Sequence, residues 1–294
     1  MRLRKDFFCI RRGFTRRLFL IGVPFFFLFT SLWGFYISIR PGKFVSNITP
    51  KDIGLDYQEV SFVTDDKVTL RGWFIPHKET VQSKTLILLH GYPADKGNIL
   101  PAVSFLSRGY NLLLFDFRYL GQSSGRYSTA GAWETHDLRS AIGYLKSRGI
   151  KEVGVWGLSL GGAVALMTAA NALEIKALVS ISSYASLDLM VFQLYRIPFL
   201  KYPLAYLTGL WARIFLGIDL RKVSPRESAR NIKIPVLIIH SKNDGLIPFQ
   251  HALLIQEALR HNPRAEFWFT EGLIHGELGG EYQRRIEKFF ENNL

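Results

Sequence analysis

The sequence predicts an α/β fold with a mostly parallel central sheet, helices on both faces, a short helical cap and a transmembrane helix at the N-terminal end. Three observations point there. From residue 85 onward, short apolar runs alternate with helical stretches, the pattern of strands buried on both faces and joined by crossover helices. The run Val153-Gly154-Val155-Trp156-Gly157-Leu158-Ser159-Leu160-Gly161-Gly162 sets a serine at the centre of G-x-S-x-G, between a β-prone run and a small-residue helix. Finally, Leu18 to Ile39 is uncharged for 22 residues, enough to cross a hydrocarbon core of roughly 30 Å at about 1.5 Å per residue.

The uncharged run reads as a single membrane span. Arg2, Arg4, Lys5, Arg11, Arg12, Arg16 and Arg17 precede it, and only Arg40 and Lys43 follow closely. Positive charge stays inside, so residues 1–17 are expected in the cytoplasm and the rest beyond the membrane. Trp33 and Tyr36 fall near the far end, where amphipathic rings prefer the interface. A cleaved signal peptide is the competing reading, because Thr15-Arg16-Arg17-Leu18-Phe19-Leu20 resembles the twin-arginine export motif. The stretch exceeds an ordinary signal core and no A-x-A site follows, which favours an uncleaved anchor. A core helix of a globular domain would not be apolar on all faces.

The formal charge of +13 is concentrated here: residues 1–43 hold nine Lys/Arg against one acid, leaving 28 basic and 23 acidic residues beyond. The basicity is therefore a topology signal, and nucleic acid is not an expected partner. The one cysteine, Cys9, lies in this basic stretch, so the globular part can form no internal disulfide and no thiolate metal site.

After a linker at 40–56, the remaining chain, 57–294, reads as one domain. Gln58 to Thr64 and Lys67 to Ile75 form a hairpin turning at Asp65-Asp66. Strands are expected at Thr85–Leu89, Asn111–Phe117, Glu152–Trp156, Ala177–Ser182, Val236–His240 and Glu266–Phe269. Helices are expected at Ile99–Ser107, Ala132–Ser147, Gly162–Leu173 and Pro248–Arg260, with an amphipathic helix at Glu281–Asn292 closing the chain. Ser186 to Ile218 breaks the rhythm with an aromatic, aliphatic stretch punctuated by Pro198 and Pro203. It reads as a helical cap over the strand ends, with an ordinary core helix as the alternative.

A serine hydroxyl is a weak nucleophile. It needs a base, the base needs an orienting carboxylate, and the oxyanion needs donors. Ser159 is the candidate nucleophile. Asp244, in the loop after Pro235-Val236-Leu237-Ile238-Ile239, is the candidate acid, and His275, in the loop after the last strand, the candidate base. The order serine, acid, histidine is the one expected when the nucleophile sits on a strand-to-helix elbow. The backbone amides of Leu160, next to the nucleophile, and of Tyr92, in Leu89-His90-Gly91-Tyr92, are the oxyanion candidates. The Tyr92 phenol could face substrate or simply pack.

Rival acids are Asp188, Asp219 and Glu271, the last too close to His275 in sequence. His90 is expected to shape the oxyanion loop and His240 to end a strand, while His77, His136, His251 and His261 are expected to be solvated or packed. No H-E-x-x-H, P-loop or G-x-G-x-x-G follows a strand, so neither metal nor cofactor is expected.

Together these residues resemble the α/β-hydrolase superfamily, in a branch of membrane-anchored serine hydrolases similar to esterases, acyl-lipid lipases and prolyl-oligopeptidase-like peptidases. The resemblance spans Gln58 to Leu294. Phe115-Asp116-Phe117-Arg118-Tyr119-Leu120-Gly121-Gln122-Ser123 is similar to the family's D-x-R-G-x-G-x-S loop, with Tyr119 where glycine is usual. The resemblance implies mostly structural roles for Asp116 and Arg118. It implies a serine hydrolase of small-molecule carboxylic esters, acyl or lipid-like. A peptidase or amidase of short peptides, and a non-catalytic tethered binding protein, are the alternatives.

Overall fold

The computed structural model describes residues 3–77, 84–195, 198–277 and 279–294, with side chains from Leu20 onward. The basic side chains before Leu18 and the cap residues Arg196 and Ile197 lie outside the described part. Among the described residues eight strands form one sheet, in the order β1 (Gln58–Val63), β2 (Thr69–Ile75), β4 (Asn111–Phe115), β3 (Thr85–Leu89), β5 (Val153–Leu158), β6 (Ile175–Ile181), β7 (Val236–Ser241), β8 (Ala265–Thr270). The hairpin β1–β2 is antiparallel and joins β4 antiparallel, while every other pairing is parallel.

The parallel strands alternate between two cores, as side chains on a pleated strand must. Ile87, Leu89, Leu113, Val236 and Ile238 face one core, against α3 (Glu134–Ser147), α4 (Leu160–Ala169) and α8 (Gln250–Leu259). Leu86, Leu88, Leu112, Leu114 and Leu237 face the other, against α2 (Lys96–Val103) and α9 (Tyr282–Asn293). Because both faces are covered, the strands read as unbroken apolar runs. The closing helix shows the complementary logic: Tyr282, Ile286, Phe289 and Phe290 are its buried residues, the stripe expected of a helix with one face on a core.

The apolar N-terminal segment lies in one helix, α1 (Leu3–Ile39), whose stretch Leu20–Ile39 is long and apolar enough to cross a membrane. The cap comprises α5 (Leu187–Leu194) and α6 (Lys201–Trp211), followed by a wide turn at Ala212–Leu216. A short helix that periodicity does not announce, α7 (Pro225–Ala229), starts at Ser224, whose hydroxyl accepts from the Glu227 amide at 3.3 Å.

The segment read as a linker is strapped to the domain. Its Ser46 amide donates to Asp95 at 2.7 Å, Lys43 Nζ to the Ser123 carbonyl at 3.0 Å, and Tyr119 Oη to the Pro41 carbonyl at 2.9 Å. Asp95 also caps α2, accepting from the Asn98 amide at 2.9 Å.

A buried ion pair holds the next layer. Lys96 Nζ lies 2.7 Å from Asp116 Oδ2, and both side chains are almost wholly buried. The carboxylate also accepts from the Lys96 and Gln122 amides at 2.8 Å each, and the ammonium lies 4.6 Å from the centre of the Trp73 ring. Arg118 forms a second buried node, paired with Asp137 and Asp66 at 2.7 Å each.

Two predictions follow from these packed polar groups. Lys96→Met leaves Asp116 buried without its cation, and should lower unfolding free energy by about 3–5 kcal/mol in denaturant titration. His251 is the second case. Its ring accepts from the Ala185 amide at Nδ1 (2.9 Å) and donates from Nε2 to Gln193 of the cap (2.8 Å), and burial pulls its pKa down to about 4 from 6.5. Between those values the unfolded chain binds more protons than the folded one, so stability falls as pH drops through that window. His251→Asn should flatten this part of the profile of thermal midpoint against pH.

Candidate active site

Strand β5 ends in a turn that ordinary residues avoid. Ser159 takes φ +55° and ψ −114°, outside the usual basins for a residue with a side chain. The flanking glycines make room for it. A Cβ on Gly157 would lie 2.4 Å from the Gly161 carbonyl, and one on Gly161 would lie 2.4 Å from the Leu89 carbonyl of β3. With both absent, α4 starts directly against the strand ends and the serine points away from the sheet.

The structure brings Ser159, His275 and Asp244 together at the C-terminal edge of the parallel strands. Ser159 Oγ lies 3.1 Å from His275 Nε2, and His275 Nδ1 lies 2.7 Å from Asp244 Oδ2. Asp244 is buried, and its Oδ1 accepts from the amides of Leu246 (2.9 Å) and Ile247 (2.8 Å). Burial alone would push this carboxyl up. The hydrogen bonds from His275 and from the two amides outweigh it and hold the group below the usual carboxylate range. An ionised Asp244 fixes the proton on Nδ1 of His275, leaving Nε2 free to accept from the serine.

The loops carrying acid and base are tied to one another. Ser241 Oγ donates to the Leu273 carbonyl at 2.5 Å, and the Gly272 amide donates to Asn243 at 2.8 Å. His240 does more than end a strand. Its Nε2 donates to the Ile247 carbonyl at 2.8 Å, closing the loop that presents Asp244, and burial holds its pKa down. Ser241 and Asn243 are not among the site residues expected from the sequence. Their signal was available in the polar run His240-Ser241-Lys242-Asn243-Asp244, which is rich in side chains that bond nearby backbone.

The loop after β3 passes close beside the nucleophile. A Cβ on Gly91 would stand 3.3 Å from Ser159 Cβ and 3.9 Å from its Oγ. His90 is fully buried; its Nε2 accepts from the Phe117 amide at 3.0 Å and its Nδ1 donates to the Gly91 carbonyl at 2.7 Å. That arrangement needs a neutral ring, and burial lowers the pKa accordingly. The backbone entering Tyr92 is thus braced from beneath, and Leu160 opens α4 on the other side of Ser159. The Tyr92 hydroxyl donates to the Ser38 carbonyl in the last turn of α1, at 2.5 Å. Burial pushes this phenol up to about 12.

The rival acids are engaged elsewhere. Glu271 pairs with Lys242 at 2.7 Å, Asp219 with Arg213 and Arg221 at 2.8 and 2.9 Å, and Asp188 accepts from Ser186. His77 and His261 bond backbone carbonyls, and His251 joins the cap to the domain.

Comparison with known proteins agrees with this architecture. The profile of the alpha/beta hydrolase fold matches residues 84–210. The chain is 27% identical over 269 residues to protein bem46 of Schizosaccharomyces pombe, covering 88% of this chain and 85% of that one. It is 29% identical over 237 residues to protein YqkD of Bacillus subtilis, covering 76% and 75%. Among solved structures, the Pyrococcus furiosus esterase Pf2001 aligns with a TM-score of 0.73 at 30% identity, across 87% of this chain and 98% of that one. With the elbow, the sheet order and these similarities in agreement, the chain belongs to the α/β-hydrolase superfamily.

Proposed function

We propose that this hydrolase cleaves carboxylic esters, acyl or lipid-like, through Ser159, His275 and Asp244. One observation carries the reading: the continuous path from Asp244 Oδ2 through both ring nitrogens of His275 to Ser159 Oγ, with legs of 2.7 and 3.1 Å. Ser159 attacks the ester carbonyl while His275 Nε2 takes its proton. The resulting imidazolium is stabilised by Asp244 and returns the proton to the leaving alcohol, giving an acyl-enzyme and the free alcohol. Water, deprotonated by His275, then releases the acid and restores the serine. The amides of Tyr92 and Leu160 bind the oxyanion of each tetrahedral intermediate. The scheme uses no cofactor.

The acyl preference has two supports. The relative Pf2001 is an esterase, and the cap is dominated by Phe, Leu and Tyr. Each methylene of an acyl chain buried against such a surface gains about 0.8 kcal/mol. The charge bias around Leu18–Ile39 supports a single-pass anchor with residues 1–17 in the cytoplasm and the hydrolase domain outside it.

Three outcomes are expected. A fluorophosphonate probe should label the protein and fail to label Ser159→Ala, and persistent labelling of that variant would remove Ser159 as nucleophile. Asp244→Asn should lower kcat on nitrophenyl esters by about 10⁴-fold with the thermal midpoint little changed, because the wrong His275 tautomer then faces the serine. Across a nitrophenyl ester series, kcat/KM should rise with acyl length and exceed that for aminoacyl amides. The reverse ranking would make the enzyme a peptidase or amidase.

A further inference from the structure

The cap and the apolar helix are not independent. Trp211 Nε1, at the end of α6, donates to Ser31 Oγ of α1 at 3.0 Å. One turn further along each segment, the Phe215 ring stacks on Phe35 with centroids 6.5 Å apart and planes at 27°. Ser31 and Phe35 are the buried residues of this stretch, amid exposed Phe25, Phe26, Phe29 and Trp33.

This contact fixes a depth. Ser31 lies eight residues before Ile39, the end of the apolar stretch, which is about 12 Å at 1.5 Å per residue. If Ile39 marks the lipid–water boundary, Trp211 lies well inside the hydrocarbon. The pairs 31/211 and 35/215 follow one another along α1, so the contact continues from Trp211 toward the boundary over a full turn.

The exposed residues along α6 have the surface such a position requires. Tyr202, Tyr206, Leu210 and Ile214 recur every four residues and are all exposed, Tyr206 by 74%, making an apolar stripe on a helix that packs against the cap through Ala205 and Thr208. Phe199, in the turn before α6, is 89% exposed. Between Asp188 and Asp219 the chain carries three basic residues and no acidic one, as suits a surface meeting anionic headgroups. Exposed apolar side chains grouped along one helix face in this way mark an interaction surface.

We infer that the α5–α6 hairpin is immersed in the leaflet from which α1 emerges, and that the enzyme takes its ester from that leaflet. The inference rests on reading α1 as a membrane span. The same geometry sets the height of the reaction. Tyr92 bonds Ser38, one residue before the end of the apolar stretch, and Gly91 lies against Ser159. The nucleophile is therefore near the headgroup–acyl boundary, the level of the ester linkages of a membrane lipid. A cavity of about 740 Å³ opens between the hairpin, through Phe192, Leu194 and Phe199, and the loop after Asp244, through Gly245 and Leu246. Its position suits an acyl chain entering from the lipid side.

The test uses the full chain with Cys9→Ser, reconstituted in phosphatidylcholine vesicles containing phosphatidylglycerol, with an environment-sensitive fluorophore on single cysteines. Probes at Phe199→Cys and Tyr206→Cys should be blue-shifted and quenched by spin-labelled lipid, as at Phe29→Cys within α1. A probe at Leu173→Cys, exposed beyond the far end of α4, should be neither. Quenching at Phe29→Cys without quenching at 199 and 206 overturns the inference while leaving the anchor standing; no quenching at Phe29→Cys removes the anchor and the inference together. Neither readout depends on turnover, so a failure of the esterase reading is seen separately. As a second arm, Tyr206→Glu with Ile214→Glu should lower hydrolysis of vesicle-borne ester at least tenfold and leave a water-soluble nitrophenyl acetate unaffected. Equal loss on both substrates would overturn the inference.

Discussion

Ser159 keeps a backbone conformation that costs free energy, and the surrounding structure exists in large part to hold it there. The restraint is the contact of three backbones: Gly157 against Gly161, and Gly161 against the Leu89 carbonyl. At separations that would put any Cβ within 2.4 Å of a carbonyl, no side chain can enter, so β3, β5 and the first turn of α4 are fixed relative to one another. Such local strain persists only where the neighbours over-determine it. Here they do so through parallel pairing of β5 with β3 and β6 on either side. From that fixed point the other strand ends deliver their loops to one edge: β3 brings Gly91, β7 brings Asp244, and β8 brings His275.

Much of this was legible in the sequence because the physics that made it is periodic or local. Strands buried on both faces write themselves as apolar runs, and Thr85–Leu89 needed no adjustment. The other strand ends shift by a residue or two, as at β5, which continues to Leu158 because β6 continues beside it to Ile181, while the expected helices Ile99–Ser107 and Gly162–Leu173 lie at Lys96–Val103 and Leu160–Ala169, up to four residues away. The candidate catalytic residues are legible because their chemistry demands particular residue types in a particular order, and the fold places those three side chains within hydrogen-bonding distance of one another.

What escaped has no period. Lys96 gives no signal because a lysine is rarely fully buried, and its partner Asp116 is twenty residues away. Helix α7 is too short for an apolar stripe, although Ser224, Pro225 and Glu227 carry the signature of a capped helix start. The strap at 41–49 read as a linker because its bonds are made mostly by backbone, with Asp95, Ser123 and Tyr119 as distant partners. Contacts of that kind depend on three-dimensional placement, and composition does not reveal them.

The hydrogen bond from Trp211 to Ser31 and the stacking of Phe215 on Phe35 make the apolar helix a structural member of the hydrolase domain as well as a candidate anchor. A leash can be exchanged for any other of equal length; a buttress cannot. Removing the chain up to Ile39 would strip the indole of its acceptor, expose the Phe215 face, and take the acceptor from the Tyr92 hydroxyl. The modular boundary suggested by hydropathy, between a greasy segment and a water-compatible enzyme, therefore runs through the middle of a packed interface.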